Sequence, residues 1–259
     1  MILRRVISHV RNQEWTAIGI DFVIVVVGVV MGIQVSNWNE ELETRRKAEV
    51  FTARLTADLV NEAWAYQSLI EYQDDVLASA ERAINALTGE AALSDEQFLI
   101  NAYRASMFAF AERSRATFDE LISTGEIGLI ADRKLRETAI YIYNTPVYEL
   151  IVEDGQKSEF RELFRKSVPA KVQRALLRNC GDRIGEIGDY AGLVDALDYE
   201  CSLDLPESLL KDAADKLRAN EELLPALQIR FADTETALWL LRESPGARYE
   251  NLREIGGTE

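Results

Sequence analysis

The chain begins with an apolar stretch that is long enough to cross a lipid bilayer. The residues from Ala17 to Val35 are almost all apolar, and Trp15 and Trp38 flank them. A bilayer core is crossed by about 20 apolar residues in a helix, and tryptophan is enriched where membrane meets water. The sequence therefore predicts a single transmembrane helix over residues 16–38, which would hold the rest of the chain at a lipid bilayer.

A cleavable signal peptide is the main alternative to a retained anchor. The apolar core of such a peptide usually has about 7–15 residues, and small residues mark its cleavage site. Here the apolar run is longer, and its end reads Gln34, Val35, Ser36, Asn37. We therefore expect an uncleaved, single-pass anchor.

Charges on the two sides of the span predict its orientation. Residues 1–15 combine an apolar stripe with three arginines, which indicates an amphipathic basic helix on the lipid surface; a short frayed tail is the alternative. Glutamates at positions 40, 41 and 43 follow the span. Because basic flanks tend to stay in the cytoplasm, we expect a cytoplasmic N-terminus in a bacterial inner membrane and a periplasmic C-terminal domain.

One face of the span carries residues suited to helix association. At helical spacing this face consists of Asp21, Val25, Gly28, Gly32 and Ser36. Small residues let helix backbones approach each other, and a carboxylate within a span is a candidate for a polar contact. Asp21 also lies near enough to the boundary to reach the headgroups, so both interpretations remain open. The face predicts a homo-oligomer or a membrane-protein partner.

Beyond residue 39 the pattern is helical almost throughout, with few Gly or Pro residues and no alternating β-branched runs. We therefore predict an all-α protein in which the span continues into an extended helical bundle. The expected organisation is a stalk helix over 39–89, a bundle packed on it over 90–244, and a flexible tail over 245–259.

Local signals predict several helix ends in this part. Gly89 is expected to end the stalk, Ser94 with Gln97 to open a helix running through Phe108 and Phe110, and Asp132 to cap another. A capping box is predicted at Thr117 and Glu120, with a helix end at Gly125, and an apolar turn over 127–130 is expected to pack into the core. Further predicted features are a bend or break at Pro146, helices over about 155–166 and 169–178, and helices opening at Pro206 and Pro225. The last of these carries a coiled-coil-like stripe of Leu224, Leu227, Phe231, Thr234, Leu238 and Leu241, which we expect to pack along the stalk.

Cys180 and Cys201 bracket a glycine-rich acidic stretch. They form either a disulfide, as expected in an oxidising compartment, or two buried free thiols. The carboxylates between them are not in the register of a helix-loop-helix calcium site, so we interpret this stretch as a solvated surface without a metal.

The composition argues against several classes of function. The only histidine is His9, in the leading segment, so the sequence offers no Ser-His-Asp triad and no paired-histidine zinc site in the distal part. Phosphate-binding glycine motifs do not occur. A net charge of −15 argues against nucleic acid as a partner. We expect no catalytic residues, no cofactor and no enzymatic activity.

Two segments resemble an uncharacterised family of bacterial single-span proteins, a domain of unknown function. They are Asp21–Gly28 with Gly32–Glu40, which ends in Asn-Trp-Asn-Glu, and Leu121–Asp132 with Leu135 and Arg136. The resemblance implies a membrane-anchored helical protein and supplies no activity. It also suggests a functional membrane junction at Gln34, Asn37, Trp38, Asn39 and Glu40; the alternative is that these polar groups only mark the exit from lipid. Trp15 is predicted to mark the other membrane boundary.

Two hypotheses for function follow from the sequence. The first is a non-enzymatic scaffold that oligomerises through its span and stalk and binds a protein partner at the membrane. The second is an extracytoplasmic ligand sensor or a transporter-accessory subunit. Because no second apolar span occurs in the sequence, either of these would act through a membrane partner.

Overall fold

The computed structural model describes residues 15–110, 113–183, 185–193, 196–243 and 248–257, and in these ranges it contains helices and no β-strand. The all-α prediction is therefore confirmed. The helices are α1 (Trp15–Thr88), α2 (Asp95–Ala105), α3 (Ala116–Ser123), α4 (Arg133–Asn144), α5 (Val147–Lys157), α6 (Glu159–Ser167), α7 (Ala170–Asn179), α8 (Glu207–Arg218), α9 (Leu223–Glu243) and α10 (Arg248–Gly256), with 3₁₀ turns at Ile127–Leu129 and Ala191–Leu193. The predicted interfacial helix, and with it His9, lies outside the described residues.

The chain divides into two compact units, and the boundary falls inside α1. The smaller unit contains the described residues up to Ala53 together with Gly128–Ala131. The larger contains Arg54–Ile127 and the chain from Asp132 onward. The predicted stalk range 39–89 is helical up to Thr88, and its part from Arg54 onward belongs to the larger unit. From Arg54 onward α1 is a helix of the bundle, because its apolar face is buried there.

In the smaller unit, the part of α1 before Val50 is exposed or only half-buried along its described length. Phe51 and Ile130 are buried, with exposed fractions of 5% and 0%. Ile130 fulfils the prediction that the apolar turn is packed inward, whereas Gly128 is exposed and Leu129 is half-buried.

In the larger unit, α1 contributes a continuous buried stripe to the core. Leu55, Leu59, Leu69 and Val76 are fully buried. Helix α2 packs against α6 and α8, α9 packs against α5 and α6, and α4 packs against α10. The coiled-coil-like stripe of α9 faces the interior of the bundle. Its buried residues are Leu227, Thr234, Leu238 and Leu241, and its half-buried residues are Leu224 and Phe231.

Several predicted helix ends are confirmed, because short-range contacts determine them. Gly89, with φ +82°, follows the end of α1 in a backbone conformation that favours glycine. Ser94 and Gln97 form the predicted capping box, in which each side chain accepts a hydrogen bond from the other residue's backbone N–H. Asp132 caps α4 by accepting a hydrogen bond from the Leu135 amide.

Other ends differ from prediction, because residues distant in sequence determine them. Helix α2 ends at Ala105 and does not reach Phe108 or Phe110, since two buried arginines bind the carbonyls at its end. Arg161 donates to the Ser106 carbonyl at 2.7 Å, and Arg230 donates to the Ala105 carbonyl at 3.3 Å. A helix that continued through this point would direct those carbonyls into its own backbone hydrogen bonds.

The predicted capping box at Thr117 is also wrong. Helix α3 begins at Ala116, so Thr117 lies within its first turn. The Thr117 amide donates instead to the Asp58 carboxylate of α1, at 3.1 Å. A side chain from another helix therefore satisfies the free N–H group that a local cap would otherwise bind.

Helix α5 was not predicted, and the helix expected over about 155–166 begins later, at Glu159, as α6. Gly155 lies inside α5, where a Cβ atom would lie 2.9 Å from the Cβ of Phe108. This glycine permits close packing and does not break the helix. Ser158 then caps α6 by accepting from the Arg161 amide.

The predicted flexible tail over 245–259 is wrong over most of its described length. Residues 248–256 form α10, in which Leu252 is fully buried. The Tyr249 hydroxyl donates to the Gln67 side chain of α1 at 3.1 Å. Burial of one leucine and one aromatic ring holds this helix on the bundle.

Candidate functional site

The apolar segment of α1 is helical and exposed along its described length. The exposed fractions of its large apolar side chains from Ile20 to Val35 range from 42% for Val26 to 69% for Phe22. By length and composition this helix could cross a membrane. It is the one such helix found in the described part of the chain, and its apolar window has no buried residue.

The residues of the predicted association face lie on this segment. Asp21 is half-buried, and Val25 and Ser36 are exposed. A Cβ atom placed on Gly28 or Gly32 would meet nothing within 4 Å. The two glycines therefore form an open, shallow surface on which another helix backbone can approach closely.

The predicted membrane junction lies on the same uninterrupted helix. All of its residues after the span are exposed, namely Gln34, Asn37, Trp38, Asn39 and Glu40. The Ser36 hydroxyl donates to the Glu40 carboxylate at 3.4 Å. Trp15 lies at the described start of α1, and its side chain is outside the described residues. Beyond the junction, Arg45 pairs with Glu41 at 2.6 Å on the exposed helix surface.

In the larger unit, a buried ion pair joins α1 to the segment before α3. Arg113 Nε donates to the Glu62 carboxylate at 2.6 Å, and the Ser114 amide donates to the other Glu62 oxygen at 2.7 Å. A second Arg113 nitrogen donates to Glu149 of α5. Burial raises the pKa of Glu62, an effect that Arg113 opposes.

Aromatic rings enclose this ion pair. The Arg113 guanidinium lies 5.4 Å from the centre of the Tyr66 ring and 4.9 Å from that of Tyr148. Burial raises the pKa of Tyr66 to about 12. The cluster therefore fixes three chain segments together, and its tyrosines are neutral at physiological pH.

A second polar cluster holds the segment between the cysteines against α1 and α2. Arg82 and Arg104 each donate to one oxygen of Asp198, both at 2.8 Å. The Leu197 and Asp198 amides donate to the Asp75 carboxylate at 3.1 Å. Burial is the largest influence on Asp75 and raises its pKa.

Cys180 and Cys201 form a disulfide in the structure, with their Cα atoms 5.5 Å apart. Cys180 directly follows α7 and is fully buried, so the bond ties the end of that helix to the chain that leads into α8. Together with the Asp198 cluster, the disulfide closes the glycine-rich segment at both of its ends.

A cavity of about 320 Å³ lies between α1 and this segment. Trp64, Tyr72, Asp182 and Arg183 are among its lining residues. The Tyr72 hydroxyl donates to Asp182 at 2.9 Å, while the Trp64 indole N–H is buried and has no partner among the described residues. The cavity is mainly apolar, with a few polar groups, as in many small-molecule sites.

The two polar clusters were not predicted from the sequence. Glu62 falls beside the apolar stripe of α1, and a carboxylate in that position is a signal for a buried ion pair. Its partner, 51 residues later, carries no comparable signal. Among the described residues, no group of three or more His, Cys, Asp or Glu side chains could hold a metal ion.

These features define a class: an all-helical protein with a disulfide-closed bundle and one exposed apolar helix of membrane-spanning length. The model of a family of unknown function, DUF6090, matches residues 21–168, more than half of the chain. The chain belongs to this family, so the predicted membership in a domain family of unknown function is confirmed. No curated protein and no solved structure matches the chain.

Proposed function

We propose that this protein is a non-enzymatic helical module, anchored in a membrane by the apolar segment of α1, that binds a protein partner there. The simplest such partner is a second copy of the chain. The observation that carries the proposal is the exposed apolar surface of residues 20–35. Burial of one Val, Ile, Phe or Met side chain contributes about 1.5–3 kcal/mol, so leaving this surface in water would forgo on the order of 20 kcal/mol. Since domains are stable by only about 5–15 kcal/mol, lipid is the natural cover for this segment.

The proposed orientation places the N-terminus in the cytoplasm and the larger unit in the periplasm of a bacterial cell. Arg4, Arg5 and Arg11 before the span and the glutamates after it support this direction. The disulfide between Cys180 and Cys201 supports the same side, because such bonds persist in oxidising compartments.

Association through the span is supported by the open face at Gly28 and Gly32. The stalk offers less support for self-association, because the chain's own bundle buries most of the apolar residues of α1 from Leu55 onward. We therefore assign the proposed contact between copies to the span alone.

Chemical cross-linking of the full chain in native membranes tests this assignment. The double variant Gly28→Leu/Gly32→Leu fills the open face and is expected to abolish a cross-linked dimer or higher oligomer. Val26→Leu/Val30→Leu is the control, because it places the same two leucines on the opposite side of the helix and should leave the oligomer intact. A lone monomer for the unmodified chain, also seen by mass photometry in mild detergent, would reject self-association.

The second candidate is an extracytoplasmic ligand sensor or a transporter-accessory subunit acting through a membrane partner. The cavity beside Trp64 favours it, because an unpartnered indole N–H offers a ligand a hydrogen bond. A thermal-shift screen of small metabolites separates the two candidates, since a specific ligand raises the melting temperature of a sensor. Co-purification with a transporter would favour the accessory role.

A further inference from the structure

A second cavity in the larger unit concentrates positive charge in a strongly acidic protein. Its volume is about 440 Å³, and it lies at the junction of α2, α6 and α7. We call it the basic cavity. The lining residues that matter here are Tyr103, Arg161, Phe164, Arg165, Arg174 and Leu177.

Three guanidinium groups line the basic cavity without carboxylate partners. Among the described residues, none of Arg161, Arg165 and Arg174 forms an ion pair, whereas many other arginines of the chain do. Asp182 also lines the cavity and accepts a hydrogen bond from Tyr72, so these four groups leave a local charge of about +2. The whole chain carries −15.

Arg161 is built into the wall of the basic cavity. The residue is buried, with an exposed fraction of 8%, and one nitrogen donates to the Ser106 carbonyl at 2.7 Å. The guanidinium lies 4.7 Å from the centre of the Phe108 ring. Burial and the nearby Arg165 lower the pKa of Arg161, an effect that Tyr103, Tyr72 and Asp182 oppose.

The turn between α6 and α7 positions the other two arginines. The Gln173 side chain donates to the carbonyls of Arg165 and Val168, at 2.8 Å and 2.7 Å. These bonds hold the end of α6 beside the start of α7, so Arg165 and Arg174 line the same cavity although α7 begins between them.

An independent observation also points to a missing ligand. The Tyr103 hydroxyl is buried and has no hydrogen-bond partner among the described residues, and Tyr103 lines the basic cavity. The residue is only 7% exposed. A buried hydroxyl without a partner costs about 1–3 kcal/mol, and an anionic ligand would supply the acceptor that it lacks.

We propose that the basic cavity binds a small organic anion, with a phosphate or carboxylate group at the arginines and an apolar body against Phe164 and Leu177. Planar guanidinium groups bind both kinds of oxyanion through paired hydrogen bonds. The volume suits a small metabolite, because ligand sites span about 300–1,000 Å³. The inference does not rest on the proposed function, since an anion can bind whether or not α1 spans a membrane.

Isothermal titration calorimetry on the full chain in a neutral detergent tests the proposal. The probes are phenyl phosphate and phenylacetate, and phenol and inorganic phosphate are the comparison compounds. We expect at least one of the two probes to bind with a Kd below about 1 mM, and at least about tenfold more tightly than phenol or inorganic phosphate. If neither probe binds, or if phenol binds equally well, the proposal is overturned.

Variants locate the binding. Arg165→Gln/Arg174→Gln should weaken binding of the probe at least about tenfold, whereas Arg178→Gln, an exposed arginine on α7 outside the cavity lining, should leave it unchanged. Tyr103→Phe should weaken binding without lowering the melting temperature of the ligand-free protein, because the lost hydroxyl has no partner in the described structure. Equal binding by the double variant and the unmodified chain would overturn the assignment to this cavity.

Discussion

The Arg113 guanidinium forms an ion pair with the Glu62 carboxylate at 2.6 Å, and the Glu62 side chain is fully buried. These residues lie 51 positions apart, so the pair fixes the segment before α3 to the middle of α1. A buried carboxylate that loses its partner keeps its desolvation cost without compensation. Arg113→Met is therefore expected to lower the free energy of unfolding by about 3–5 kcal/mol, measured by urea unfolding of the detergent-solubilised chain.

The control for this prediction is an exposed ion pair of the same chemistry. Arg133 pairs with Glu137 at 2.8 Å on the surface of α4. Arg133→Met should leave the unfolding midpoint unchanged, because exposed pairs contribute little. Equal losses in the two variants would show that the buried position of Glu62 is not what matters.

The same carboxylate predicts a pH dependence of stability. Because burial raises the pKa of folded Glu62 above its ordinary value, the folded state binds a proton more tightly than the unfolded state. The contribution of Glu62 to stability is therefore largest at low pH, below its unfolded pKa, and falls as the pH rises through the folded pKa.

Glu62→Gln isolates this effect. The stability of the unmodified chain minus that of the variant should decrease as the pH rises from about 4 to about 7. Urea unfolding at several pH values measures the difference. A difference that grows with pH would mean that pairing with Arg113 outweighs burial.

The disulfide gives a third prediction. It joins cysteines 21 residues apart, and a loop of this length contributes about 3 kcal/mol to stability. Cys180→Ala/Cys201→Ala should lower the melting temperature, and reduction should lower that of the unmodified chain in the same direction. The double variant is expected not to respond to the reductant; if it did, the effect of the reductant would have another source.

Helix α10 gives a fourth prediction, which distinguishes a packed helix from a flexible tail. Leu252 is fully buried, so Leu252→Ala should cost about 2–5 kcal/mol in the free energy of unfolding. The control is Ile229 on α9, which is 58% exposed. Ile229→Ala should change the free energy of unfolding by less than about 0.5 kcal/mol. If both variants were as stable as the unmodified chain, residues 248–256 would not be packed on the bundle and would form a flexible tail.

The sequence predicts the features that depend on neighbours along the chain. The Ser94 and Gln97 capping box, the Asp132 cap and the positive φ of Gly89 each involve at most four successive residues. The buried stripe of α9 follows from its period alone. For the same reason, the apolar helix of membrane-spanning length was predictable from the sequence.

Features that depend on distant residues were not predictable from the sequence. Helix α2 ends where Arg161 and Arg230 bind its carbonyls, and those arginines come 55 or more residues later. Gly155 was predicted to lie at the start of a helix, yet it lies inside α5, where Phe108 packs closely against it. The Glu62 and Arg113 pair and the basic cavity likewise combine residues from separate helices.

Membrane fractionation combined with the intact mass of the recovered protein decides whether the apolar segment of α1 is retained as an anchor. We expect the chain to sediment with membranes, to resist extraction by alkaline carbonate, and to have the mass of a polypeptide that retains residues 16–38. Recovery of a soluble polypeptide that lacks this segment would contradict this expectation, because the exposed apolar part of α1 would then be a cleaved leader and not an anchor.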